Sequence, residues 1–133
     1  MADAVTSQTL FDGNRLAVMK FTNVSDGTGE TNVVKVDVAT LQTFQGKACS
    51  TVDIFKIYAM THGMEVSIRW AASTPVVATV IPQNVMQTWD MTEFGGIQNN
   101  AGATGKTGNI TFTTVDQSAG DTYSIILVMK KIY

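Results

Sequence analysis

The 133-residue chain is 44% hydrophobic but only 15% charged, well below the ~25% charged residues usual in soluble domains. A net charge of -2, with no basic run longer than Lys130-Lys131, denies it the phosphate-neutralising patch that nucleic-acid binding needs, and no stretch approaches the ~18 apolar residues of a spanning helix. One cysteine and one histidine exclude an internal disulfide, a C-x-x-C site and any multi-histidine metal centre.

The length fits one domain with one core. Residues 1–11 are too polar at their start for core and read as an extended N-terminal arm, punctuated by Asp12-Gly13-Asn14. They carry Asp3, no Lys or Arg and no apolar run, so they do not read as a secretory signal, and synthesis in a cytosol follows. Residues 15–24 predict a strand in which Leu16, Val18, Met19 and Phe21 do not alternate, implying a bulge or burial on both faces. Ser25-Asp26-Gly27-Thr28-Gly29 then reverses the chain as a hairpin turn into a strand over residues 30–39, with Val34, Val36 and Val38 inward and Lys35 and Asp37 outward.

Residues 41–48 form a turn or a single helical turn, since Leu41 and Phe44 have helical spacing but the run is short. Residues 51–60 and 64–71 predict a hairpin around Thr61-His62-Gly63. In its first arm Phe55, Ile57 and Ala59 face one way and Ile54, Lys56 and Tyr58 the other; in its second Val66, Ile68 and Trp70 face inward against Glu65, Ser67 and Arg69. Pro75 and Pro82 bracket an apolar strand that starts and stops at them or lies at a sheet edge. A strand over residues 83–91 leads into the longest loop, residues 92–106, which is rich in Gly and Asn. Ile110, Phe112 and Thr114 alternate against Thr111 and Thr113, residues 116–120 turn the chain, and residues 122–133 form a last strand apolar enough for the middle of a sheet. Eight or nine short strands with little helix predict an all-β antiparallel sandwich of jelly-roll type, as one domain over residues 1–133.

Chemistry is sparse. His62 sits in a loop and reads as a turn residue, Cys49 as a small buried side chain, and no serine has a G-x-S-x-G context. Asp26-Gly27-Thr28-Gly29-Glu30 lacks the alternating ligands of a calcium loop. Asp12, Asp53, Glu65, Asp90 and Glu93 have nothing local to raise a carboxyl pKa, so most read as surface solvation. No catalytic residue, metal or cofactor is expected. A Thr-, Ser-, Asn- and Gln-covered surface costs less to desolvate than a charged one, so binding to other protein surfaces is the expected activity. The candidate interface residues are Thr9, Leu10 and Phe11 in the arm, and Trp89, Met91, Phe94 and Ile97 at the mouth of the long loop. The second group has three readings: packing beneath its own loop, projecting as an interface anchor, or stacking on sugar rings.

The run Phe11-Asp-Gly-Asn-Arg-Leu-Ala-Val-Met-Lys-Phe-Thr-Asn-Val-Ser-Asp-Gly-Thr-Gly-Glu30 resembles the opening of small virion structural proteins of tailed bacteriophages. Asn109-Ile-Thr-Phe-Thr-Thr and Ser124-Ile-Ile-Leu-Val-Met-Lys-Lys are similar in style, and together these cover about a third of the chain. The resemblance implies a head decoration, or cement, protein: a β-sandwich on the capsid surface, assembled as a homotrimer, that binds the major capsid protein and transfers no catalytic residue. A tail, neck or fibre-base component is the alternative within a virion, and a carbohydrate-binding module for host glycans the alternative from another class.

Overall fold

The computed structural model describes residues 4–133. Its strands in chain order are β1 (Ala4–Asp12), β2 (Leu16–Val24), β3 (Val33–Val36), β4 (Thr51–His62), β5 (Glu65–Trp70), β6 (Val76–Ile81), β7 (Met86–Asp90), β8 (Ile110–Val115) and β9 (Thr122–Ile132), with two single 3-10 turns at Val38–Thr40 and Thr92–Phe94. They form two antiparallel sheets, ordered β1-β2-β9-β4-β7 and β3-β8-β5-β6. This is the all-β sandwich with jelly-roll-like crossings that the strand pattern predicts. Between the sheets lie Phe21 from β2, Ile57 from β4, and Ile125 and Leu127 from β9, facing Val66, Ile68 and Trp70 from β5 and Phe112 from β8. Phe112 packs edge-on against both Phe21 and Tyr123, at 5.3 and 5.7 Å between ring centroids, a geometry worth about 0.5–1.5 kcal/mol per pair beyond area burial.

Several expectations give way to the register. The described part of the predicted arm is not free: Ala4–Asp12 pairs with β2 along its length, interrupted only by a bulge at Leu10. Met1 to Asp3 lie outside the described residues. β2 alternates cleanly and pairs with β9 without a bulge; its period is hidden because Asn23 is the inward polar residue and Val18 an outward apolar one. Residues 51–62 and 65–70 are not a hairpin. β4 is held by β9 and β7, and β5 by β8 and β6, so Gly63-Met64 carries the chain from one sheet to the other. Gly63 takes φ of +81° there, and an added Cβ would lie 2.2 Å from the Asp121 carboxylate. Residues 25–32 likewise cross between sheets rather than closing a hairpin.

Bulges also redirect side chains. One at Phe55 puts Ile54 and Ile57 both inward, so Phe55 and Ile54 exchange the faces that strict alternation assigns them. Another at Lys35 leaves Val34 exposed and turns the lysine into the core. There Lys35 Nζ lies 2.5 Å from Glu30 Oε2, with both side chains almost fully buried. Tyr123 Oη and Asn23 Nδ2 donate to Glu30 Oε1 at 2.6 and 2.9 Å, and the Glu30 amide donates to Thr114 Oγ1 at 2.8 Å. A second buried lysine, Lys131, pairs with Asp12 and donates to the carbonyls of Gly13 (2.7 Å) and Gln42 (2.9 Å). It fastens the β1–β2 turn to the loop after the first 3-10 turn, a segment that holds a bridge between Phe44 and Lys47 in place of a helix.

Removing one member of a buried ion pair strands the other charge, at a cost of about 3–5 kcal/mol. Lys35→Met is therefore expected to lower the free energy of unfolding by about that much in urea titration, whereas the double change Glu30→Gln with Lys35→Met recovers a substantial part of the loss. Equal destabilisation by the single and double variants would show that Glu30 is not the group left uncompensated.

Candidate interface on the five-stranded sheet

Inward residues of the five-stranded sheet form the core, so its outer face is written by the alternate positions. Direct pairing sets Thr22, Ser124, Met60 and Met86 side by side across β2, β9, β4 and β7. The next row holds Lys20, Ile126, Tyr58 and Thr88, and the one beyond it Val18, Val128, Lys56 and Asp90. An antiparallel sheet with one wet face normally shows polar side chains there. Here Met86 is 78% exposed, Val24 51% and Met60 50%, with Tyr58 also exposed, and the charges are three lysines with Asp90 and Asp53. Lys56 Nζ sits 3.9 Å from Asp90 Oδ2.

Two adjoining depressions mark this face. The larger, about 430 Å³, lies where β2, β4 and β9 reach the 82–85 crossing and includes Val24, Met60, His62, Asn84 and Met86. The smaller, about 270 Å³, shares Met60, Met86 and Ser124 with it and extends to Tyr58, Thr88 and Ile126. No carboxylate, thiol, lysine or arginine lines either one. His62 and Tyr123 are the titratable groups of the larger, and the Tyr123 hydroxyl is committed to Glu30. Methionine at the centre suits an adaptable apolar contact, and His62 stands at the rim of the larger depression among the hydroxyls of Thr61, Thr122 and Ser124. Among the described residues no group of three or more His, Cys, Asp and Glu could hold a metal ion. Cys49 is buried, its Sγ donates to the Thr51 carbonyl at 3.1 Å, and burial pushes its thiol up from the ordinary value, which disfavours the nucleophilic thiolate.

The seven residues singled out in the sequence fall into three situations. Thr9, Leu10 and Phe11 are exposed at the far end of β1, and Phe11 pairs with Val18 at the rim of the outer face. Trp89, Met91 and Ile97 are partly buried against the core: Trp89 pairs with the inward Ile57, and Ile97 bridges Ile54, so the loop folds back over the open side of the sandwich. Phe94 alone of that group projects, 69% exposed. β1 and β7 are opposite edges of one sheet, about 19 Å apart at the usual strand spacing, so the two groups do not converge in one copy. Sequence reading passed over Met60, Met86, Tyr58 and Val24. Alternation sets Tyr58 on the same face as Lys56, and the signal that could join it to the others is the pairing partner of each outward position.

Asp53, buried on β4 opposite Lys130, has its carboxyl raised by desolvation and partly lowered again by the lysine. A raised folded-state pKa means that the folded chain holds the proton longer than the unfolded one, so stability falls as pH rises from the ordinary carboxyl value through the raised one. Asp53→Asn is expected to gain stability relative to the parent across that acidic window and to keep the advantage at neutral pH. Thermal midpoints of the two chains that stay parallel across the window would contradict this assignment. Trp89→Ala should cost about 3–5 kcal/mol, reduced for its partial exposure, and Phe94→Ala less than about 0.5 kcal/mol, both read by chemical denaturation.

No family model and no curated protein sequence matches the chain. Among solved structures, a cupin domain from Bordetella pertussis Tohama I aligns over 100% of this chain and 98% of its own, at 11% identity and a TM-score of 0.38.

Proposed function

We propose that the protein is a structural component of a tailed-phage virion, made in the host cytoplasm and placed on the capsid surface, where it binds the major capsid protein and stabilises the head shell. The observation that carries its binding role is the outer face of the five-stranded sheet, with Met60, Met86, Tyr58, Val24, Ile126 and Val128 contiguous across four strands. Contiguous exposed apolar surface of this kind marks a protein contact, and methionine and aromatic residues are the types that interfaces enrich. What supports the head over other virion positions is the resemblance of residues 11–30, 109–114 and 124–131 to head decoration proteins. A glycan-binding reading rested on Trp89 as a stacking platform, and that ring packs against the core.

A bound decoration protein stabilises a shell by its differential affinity for the assembled lattice. Heads lacking the protein are expected to release their genome at a lower temperature, and purified protein added back is expected to restore the parental value. Met60→Asp combined with Met86→Lys places opposite charges on two exposed, directly paired positions, so folding is spared while the contact is desolvated around charge. Affinity for heads should fall roughly 30-fold or more, the loss of at least one central contact. Unchanged head binding by that double variant, with a normal circular dichroism spectrum, overturns the proposed surface; labelled particles showing the protein only at the neck or tail overturn the head assignment.

A further inference from the structure

The two sheets have four free edges, and three are blunted in ways that proteins use against edge-to-edge pairing. β6 lies between Pro75 and Pro82 and carries a bulge at Ala78, midway along its six residues. β3 has four residues and the bulge at Lys35. β7 has five, ends in Asp90, and is followed by a loop that turns back onto β4 through the Ile54–Ile97 bridge. β1 differs from all of them. It is nine residues long with eight exposed, holds no Lys, Arg, Glu or Pro, and carries its one bulge at Leu10, so Ala4 to Thr9 present an uninterrupted and uncharged row of backbone donors and acceptors.

The strand is also held still. Lys131 grips Asp12 and the Gly13 carbonyl at the root of the β1–β2 turn, and the Gly13 amide donates to the Leu16 carbonyl at 2.9 Å. Thr6 and Thr22 hydroxyls bond across the pair. A rigid hairpin does not exchange its arm with a neighbour; it offers its open edge. We infer that the occupant of that edge is β1 of a second copy, in an antiparallel two-fold pair that joins two five-stranded sheets into one of ten strands.

Self-pairing is favoured over a foreign strand by the absence of charge: an antiparallel two-fold contact sets each residue against a residue of the same strand, and like charges directly opposite would oppose it. None exist between Ala4 and Phe11. Symmetry then fixes the geometry. The dyad must stand perpendicular to the sheet, because facing residues share a side of it and strand positions alternate sides. One residue therefore meets its own copy, and within the regular stretch that residue is Thr6 or Ser7. With the dyad at Ser7, Val5 faces Thr9 and Thr6 faces Gln8. Both outer faces end on the same side, so the apolar surface described above is doubled across the junction. The pairing does not depend on what that surface binds, and it is a closed pair rather than the trimer that the resemblance implies.

The full chain should sediment at twice its 14.3 kDa mass. Ser7→Lys, which puts two ammonium groups at the junction, should sediment as a single chain with an unchanged circular dichroism spectrum and thermal midpoint. Facing Cα atoms in an antiparallel pair lie within disulfide reach, so under mild oxidation one of Thr6→Cys and Ser7→Cys should give a covalent dimer in near-complete yield. Cys49 is buried, and the parental chain is the control. A parental chain that sediments alone or as a trimer, a dimer indifferent to Ser7→Lys, or failure of both cysteine variants to cross-link overturns the pairing. Head binding by Ser7→Lys is scored separately: binding retained by the single chain leaves the outer-face reading standing whatever becomes of the pair, and a loss is compared with the outer-face variant, which should keep the doubled mass.

Discussion

A carboxylate and an ammonium shut between two sheets set the terms for this fold. Glu30 arrives on a crossing segment and Lys35 on β3, while the groups that complete their coordination, Asn23 and Tyr123, stand on β2 and β9 of the opposite layer. Apolar contacts alone would tolerate some sliding of one sheet over the other, since burial is non-directional. A buried charge does not tolerate it, because loss of any partner exposes an uncompensated ion to a low-dielectric surrounding. The bulge in β3 serves this pair: it lets Lys35 and Val36 both face the core while Val34 stays exposed. The aromatic trio Phe21, Phe112 and Tyr123 closes around the pair, with Lys35 Nζ 5.9 Å from the Phe112 ring centroid, so the layers are keyed at one end by polar and ring contacts together.

With the layers keyed, the outer face of the larger sheet is left to do something other than hold the fold. Its methionines, valines and tyrosine are spaced by the strand register and bordered by lysines whose aliphatic stems can lie along the same surface. That combination gives an adaptable apolar surface with charge at its margin, which is what supports the proposed protein contact. The long loop serves the opposite side. By returning Trp89, Met91 and Ile97 to the core edge, it closes the sandwich where β7 is too short to do so.

Much of the fold was readable from alternation. β5 and β8 follow their period of two, β9 takes the mid-sheet place its apolar run implies although its burial alternates, the prolines bracket β6, and residues 92–106 are the loop they read as. What alternation cannot convey is which strand lies beside which. The short Thr61-His62-Gly63 connection reads as a hairpin by length, yet β4 already has a partner on each side, a fact written only in residues far along the chain. Bulges are equally silent: nothing local to Ile54-Phe55-Lys56 or Val34-Lys35-Val36 announces that one position will be skipped. The candidate site was legible in part for the same reason. Phe11 and Phe94 are recognisable as apolar residues in polar company. Met60 and Met86 become one surface only once β4 and β7 are known to be neighbours, and of the three readings open for Trp89 its pairing with Ile57 selects packing against the core.

The clasp around Lys131 also decides how a load would travel. Where a load runs along β1, its eight positions paired with β2 lie parallel to the pull, so their hydrogen bonds are stretched sideways and share the tension, instead of opening one after another like a zip. The ammonium at the root, tied to Asp12, Gly13 and Gln42, passes that tension into β9, the middle strand of the five. A small sandwich so braced answers a load on its edge strand as one body.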